Sequence, residues 1–402
     1  MYDAVIDEVR GRAIRVGGQW LTDFASCNYL GFDLDPEIMD AIDRAIRRWG
    51  THPSWSRLLG NLRLYPDIEE RLTELTGAPD TLVLPTITHI HLSVLPILAG
   101  QGTVFVEAQA HRTIYDGAVH ARALGATVRR FWAHDLTRLS EDLGAAHSGY
   151  PRVVCLDGLN SMTGNVPDLP ALAGLCRAHG ALLYVDDAHG FGILGERRPD
   201  ETSPYGARGN GLVRHLGESY DGVVYIGGFS KAYSSLLAFL ALPTTLKNQL
   251  KVGAAPYLYS GPSPVASLAG VLAGFDVNAA RGDALRAHLH RLSARLNAHV
   301  RTLGLATPAV GDTPIVELPL ASGVDLAAVA GTLWRDGIYV TLAAYPLVPR
   351  DQVGVRVQLT APHTDEDVDR LVDVLTRLAA EGALRRRSPV HTGDPEGDRQ
   401  RA

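Results

Sequence analysis

The chain has 402 residues, enough for one large domain or two modest ones, and its 46% hydrophobic and 20% charged content lies near the globular average. Wholesale disorder, collagen and coiled coil are excluded. Thirty-eight basic against 44 acidic residues leave a net charge of −6 with no dense basic stripe in the ordered part, which argues against nucleic-acid binding and for a small-molecule ligand.

Residues 1–10 carry acids every few positions and no apolar core, so no leader is expected there. The longest uninterrupted apolar stretch, 236–243, is far too short for a membrane span. Cys27, Cys155 and Cys176 are too few and too scattered for a disulfide framework or a paired-cysteine metal site. Buried thiols in a reducing, cytoplasmic compartment are the expectation.

Short runs rich in Val, Leu and Tyr follow one another at 81–85, 103–107, 127–132, 152–156, 182–186 and 223–226. Continuous apolar strands, polar only at their ends, suit a parallel sheet covered on both faces. Between the fourth and fifth runs, Leu169, Leu172, Leu175 and Cys176 mark one face of a helix that Asp168 caps and His179-Gly180 ends. That is a βαβ unit, and the chain reads as α/β. From about Arg281 a long helix carries Leu285, Leu289, Leu292, Leu296 and Leu303, followed by strands at 315–318, 338–342 and 355–359. A last helix has Val368, Leu371, Val372, Leu375 and Leu378 at helical spacing behind Asp365, Glu366 and Asp367, whose charges complement its N-terminal dipole. The expected division is an N-terminal segment (1–45), a large domain (46–245), a connecting helical segment (246–280), a small α+β domain (281–384) and a disordered tail (385–402), where charge, Pro and Gly replace large apolar groups.

Only Lys231, Lys247 and Lys251 can supply an amine, because every other basic residue is arginine. Lys247 and Lys251 stand one helical turn apart in a polar segment and read as surface residues. Lys231 follows the run 223–226 through Gly227-Gly228-Phe229-Ser230, at the strand end where α/β proteins bind ligands. Desolvation there makes an amine nucleophilic, so Lys231 is the Schiff-base candidate; a snorkelling lysine is the plain alternative. The run ending at Asp186 continues as Asp187-Ala188-His189-Gly190. A carboxylate buried at a strand end is neutralised unless it faces a cation such as a protonated pyridine nitrogen, and Asp186 fits that role. Alternatives are a turn-capping carboxylate, or a metal site with Asp187 and His189 that lacks a further ligand. Residues 190–195 match GxGxxG, yet 196–211 is rich in Gly, Pro and charge with no helical stripe, so a dinucleotide fingerprint is rejected. His89 and His91 form an HxH pair without a third ligand, and no role is assigned to them.

These motifs together, with Asn28-Tyr29-Leu30-Gly31, Ser54-Trp55-Ser56-Arg57, His111, the stretch 157–164 and the stretch 345–350 before Arg356, resemble the α-oxoamine synthase family over roughly residues 20–380. The resemblance implies the type I fold of pyridoxal-phosphate enzymes, with a mainly parallel seven-stranded sheet in the large domain and a smaller α+β C-terminal domain. It implies that Lys231 holds the cofactor and shuttles the substrate's Cα proton. Asp186 would pair with the ring nitrogen, His189 would bond the ring's phenolic oxygen, and His111 would stack on the ring. Thr86, Ile87 and Thr88 occupy the phosphate loop, where the family has a glycine followed by an aromatic; Gly228 stands where the family has a phosphate-binding threonine. Thr86, Thr88, Ser230 and a partner subunit's Ser260 would compensate. Ser161 would touch the ring or acyl group, Arg356 would hold the substrate carboxylate, and Asn28 would face the neighbouring subunit's cofactor. Thr163 and Asn165 replace acidic residues of the family.

The implied reaction condenses an amino acid with an acyl thioester, carried by coenzyme A or an acyl carrier protein, and releases carbon dioxide to leave an α-amino ketone, in a homodimer that needs neither nucleic acid nor membrane. Two alternatives stay open: another pyridoxal-phosphate reaction (transamination, racemisation, β- or γ-replacement), or an NAD-binding α/β protein resting on 190–195 alone.

Overall fold

In the computed structural model, which describes residues 1–147, 149–345 and 348–387, the chain opens with three antiparallel strands, β1 (Ile6–Arg10), β2 (Ala13–Val16) and β3 (Gln19–Asp23). The apolar runs that follow are β4 (Asp80–Leu84), β5 (Thr103–Glu107), β6 (Thr127–Phe131), β7 (Arg152–Asp157), β8 (Leu182–Asp186), β9 (Val223–Gly228) and β10 (Ala238–Leu242). They form one seven-stranded sheet in the order β4-β10-β9-β8-β7-β5-β6. From β9 to β6 every pairing is parallel, and β10 runs antiparallel to both β9 and β4.

β10 lies within the stretch that hydropathy marks only as too short for a membrane. Its strand character depends on returning from β9 as a hairpin, with Ala238 opposite Gly228. Lys231 therefore stands in the β9–β10 connection rather than in a loop leading to a helix. Successive residues of each strand bury into opposite layers: Leu82, Val104, Tyr184 and Ile226 on one face, Val83, Phe105, Val185 and Tyr225 on the other. The helix Ile87–Ala99 covers the first face and Leu169–Ala178 the second, the latter capped by Asp168, whose carboxylate accepts from Ala171 N, as expected.

The C-terminal region holds β11 (Ile315–Pro319), β12 (Ile338–Tyr339), β13 (Thr341–Ala343) and β14 (Gly354–Gln358). The expected single strand 338–342 is two. β12 pairs in parallel with β3, whereas β13 pairs with β14, so the chain changes sheets at Val340. The last helix, Asp365–Ala380, starts with a capping box between Thr364 and Asp367. Residues 385–387, expected in the disordered tail from its charge, Pro and Gly and its lack of large apolar groups, are held by the fold: Arg385 N donates to the Pro319 carbonyl and Arg387 N to the Gly304 carbonyl. The remainder of the expected disordered tail, 388–402, lies outside the described residues.

Candidate active site

At the C-terminal ends of β7, β8 and β9 the chain leaves a cavity of about 310 Å³. Strands β7 and β8 end in register on acids, Asp157 opposite Asp186. Asp186 is buried; its Oδ1 accepts from Ala188 N at 3.1 Å and its Oδ2 from His91 Nε2 at 2.9 Å. Burial pushes its carboxyl up, but the His91 hydrogen bond together with the charges of His91, Lys231 and His111 outweighs burial and holds it below the ordinary value. Asp157 goes the other way. Burial, then the Asp186 charge, raise its carboxyl well above the ordinary value, while its Oδ1 accepts from His111 N and its Oδ2 from Asn160 Nδ2.

Lys231 and Ser230 line the same cavity from the β9–β10 connection. The loop is anchored by Phe229, buried against Phe191, Tyr233 and Phe239. Its tight turn leaves Ser234 at φ +52°, with Ser234 N donating to the Lys231 carbonyl. The glycines of 190–195 let backbone pass beside this loop. A Cβ on Gly192 (φ +88°) would lie 2.5 Å from that of Ala232, and no dinucleotide-type helix follows.

His189 is buried with Nδ1 2.8 Å from the Tyr29 hydroxyl. Burial, then the positive field of Lys231 and Arg356, hold it well below its ordinary pKa, so it is a neutral imidazole. The neutral ring carries one N–H, and Nδ1 and the Tyr29 hydroxyl share a single hydrogen bond. His111 caps the helix Arg112–Ala123; its amide donates to Asp157 Oδ1 at 2.9 Å and its ring nitrogen meets Thr113 Oγ1 at 2.7 Å. Both oxygens of Asp187 are committed within the fold, to Leu159 N, Leu212 N and the Tyr225 hydroxyl. It secures three segments beneath the cavity.

Thr86, Ile87 and Thr88 also line the cavity. Thr86 is the N-cap of Ile87–Ala99 and accepts from His89 N, which leaves the first-turn amides of Ile87 and Thr88 ahead of the helical ladder, where a helix favours an anion. Gly228 faces Ile87, whose Cδ1 methyl would have to move to admit a side chain there.

Ser161 is in the cavity wall; Arg356, Asn28 and Ser260 are not. Arg356 reaches from β14 to the wall, its Nη1 donating to the Ser161 carbonyl at 2.7 Å and its Nη2 to Gln358 Oε1 at 3.3 Å. Pro346 and Leu347, in the segment leading to it, lie outside the described residues. Asn28 Nδ2 donates to Asp33 at 3.0 Å, and the exposed Ser260 hydroxyl donates to the Gly261 carbonyl. Asn165, in place of an acid, ties this region to the C-terminal part of the chain through the Pro308 carbonyl and Val310 N.

Two participants escaped the sequence reading. Asp157 could have been found, since two neighbouring apolar runs both end in Asp. His91 had no such signal, because only the packing of its helix on the sheet brings it to Asp186.

A family model described as aminotransferase class I and II matches residues 21–375. The chain is 36% identical over 363 residues to the 8-amino-7-oxononanoate synthase of Chromohalobacter salexigens, covering 90% of each protein. It is 32% identical over 376 residues to that of Methylobacillus flagellatus, covering 93% of this chain and 91% of the other. The solved serine palmitoyltransferase of Sphingomonas wittichii superposes with a TM-score of 0.85 at 26% identity, over 95% of this chain and 93% of that one. Fold and sequence agree on a type I pyridoxal-phosphate enzyme, and the chain belongs to the aminotransferase class I and II family, within its α-oxoamine synthases.

Proposed function

We propose that this protein condenses an amino acid with an acyl thioester at the cavity of Lys231 and Asp186, releasing carbon dioxide and the free thiol and leaving an α-amino ketone. The observation that carries the reading is the placing of an amine and a carboxylate held anionic, Lys231 and Asp186, in the wall of one cavity. The donor set fits pyridoxal phosphate: an anion for the ring nitrogen, a neutral histidine for the phenolic oxygen, an amine for the aldehyde, and free helix amides for the phosphate. The bound cofactor supplies an electron sink for the substrate's Cα.

The chain's own residues do the rest. Lys231 Nζ would hold the cofactor's aldehyde and, once freed, would take the substrate's Cα proton. Asp186 would pair with the ring nitrogen, His189 would donate to the phenolic oxygen, and His111 would pack against the ring. Arg356 would exchange the Ser161 carbonyl for the substrate carboxylate and so orient the substrate's Cα. Thr86, Thr88 and Ser230 hold the phosphate with the amides of Ile87 and Thr88.

The active unit is a homodimer in this reading, with Asn28 and Ser260 turned toward the partner's cavity. Its support is the run of exposed large apolar residues Trp55, Leu58 and Leu59, the last 83% exposed, together with Tyr259, also 83% exposed, beside Ser260. No helix among the described residues is long and apolar enough to cross a membrane. The free thiols, Cys155 and Cys176 being buried, support a reducing cytoplasmic location.

The test is to incubate the purified yellow protein with carboxyl-labelled amino acids and a panel of coenzyme A and carrier-protein thioesters. Labelled carbon dioxide released only when both substrates are present, with an α-amino ketone of matching mass, supports the assignment; release without thioester, or transfer of the amino group, overturns it.

A further inference from the structure

Asp186 is not held by backbone alone. Its Oδ2 is met by His91 Nε2 at 2.9 Å, and the other ring nitrogen of His91 meets the Tyr184 hydroxyl at 2.8 Å. His91 and Tyr184 are completely buried, on the helix Ile87–Ala99 and on β8, two residues before Asp186 itself. With the side chains of His91 and Tyr184 both fully buried, the proton positions along the chain are decided by the three side chains together.

An imidazolium would donate to the Tyr184 oxygen and leave the hydroxyl hydrogen without an acceptor, so two neutral-imidazole arrangements are left to compare. In the first, the Tyr184 O–H donates to Nδ1 and Nε2–H donates to an ionised Asp186, and every donor and acceptor is matched. In the second, Nδ1–H donates to the Tyr184 oxygen and Asp186 must carry a proton to face the bare Nε2. The Tyr184 hydroxyl hydrogen then needs another acceptor, and among the described residues the hydroxyl meets only His91. A buried hydroxyl donor without an acceptor is costly. The first arrangement is therefore the resting one, and it ends on an anion.

We propose that His91 is a positioning residue, locked in its Nε2–H form by Tyr184, whose hydrogen bond keeps Asp186 ionised and thereby sets the protonation of the cofactor's ring nitrogen. This rests on the reading of the cavity as the pyridoxal-phosphate site. The Tyr184–His91–Asp186 relay gives the HxH pair a meaning: His91 serves the carboxylate, while His89 supplies the amide that Thr86 caps.

The experiment loads the full-length holoprotein with cofactor labelled with nitrogen-15 in the ring and reads the ring-nitrogen chemical shift without substrate. Wild type is expected at the protonated position. His91→Leu moves the signal to the unprotonated position, Tyr184→Phe moves it part of the way, and His91→Gln, which keeps an N–H donor, returns it towards wild type. A wild-type shift in both His91→Leu and Tyr184→Phe overturns the relay. Should His91→Leu not take up cofactor, Tyr184→Phe decides alone, since it removes one oxygen atom and its fold is checked by circular dichroism. Wild-type protein that takes up no labelled cofactor overturns the site reading and the relay with it.

Discussion

Gly228 and Ile87 occupy one space: a Cβ built on Gly228 would lie 2.6 Å from Ile87 Cδ1, closer than any real side chain tolerates. The glycine at the end of β9 and the isoleucine opening the helix Ile87–Ala99 are thus a matched pair at the phosphate end of the cavity. A threonine at 228 alone requires the Ile87 Cδ1 methyl to swing away from the end of β9 and into the phosphate end of the cavity. Gly228→Thr is expected to weaken cofactor retention about tenfold, and Ile87→Gly in the same chain to restore it, as measured by equilibrium dialysis of pyridoxal phosphate. Additive losses in the double variant would refute the pairing.

Lys231→Ala removes the amine of the cavity wall. The visible band of the holoprotein should vanish, and turnover should fall by roughly 10² to 10⁴, the usual range for a positioned proton-transfer group. Borohydride reduction and peptide mapping should label residue 231 in wild type and neither Lys247 nor Lys251. Lys247 is engaged instead with Asp80 at 2.7 Å and Glu69 at 3.2 Å.

Arg356→Lys keeps the charge and loses the planar fork. The amino-acid KM should rise about 10- to 100-fold while the thioester KM stays near wild type. A matching rise in both constants would mean that Arg356 braces the fold through Ser161 rather than holding the carboxylate.

Glu317 is paired in register with Arg356, is 1% exposed, and has neither carboxyl oxygen hydrogen-bonded. Burial, only partly offset by the Arg356 and Arg385 charges, pushes it up to about 7 from 4.5. A carboxyl raised in the folded state binds its proton more tightly than the unfolded chain does. Its ionisation therefore costs stability progressively as pH rises from about 4.5 to 7, fully above that, and not at all below about 4.5. Glu317→Gln should stabilise the protein at pH 8 by at most about 3 kcal/mol, with the difference in urea midpoint closing as the pH falls from about 7 to 4.5. A variant less stable than wild type at pH 8 would show that the charge is needed beside Arg356.

The covered sheet was legible because burial on both faces demands continuous apolar runs whatever their partners, and Lys231, Asp186 and His189 were legible because each follows directly on such a run. Helix boundaries at Asp168 and at Asp365–Asp367 were likewise readable, since capping is a contact between near neighbours in the chain. Strand 338–342 could not be divided from its composition, because β12 and β13 differ only in which distant strand accepts their hydrogen bonds. The same holds for β10, which is a strand by virtue of lying between β4 and β9.

Chain order alone determined which residue types stand at the ends of the buried strands, because hydrophobic periodicity and capping are local and survive without knowledge of the fold. Tertiary structure alone decided that His91 meets Asp186, that Asp157 lies beside it with its carboxyl pushed up by burial, and that Ile87 fills the space Gly228 leaves. These are contacts between segments far apart in sequence, and burial sets their protonation and fit, a property that exists only once the layers have closed.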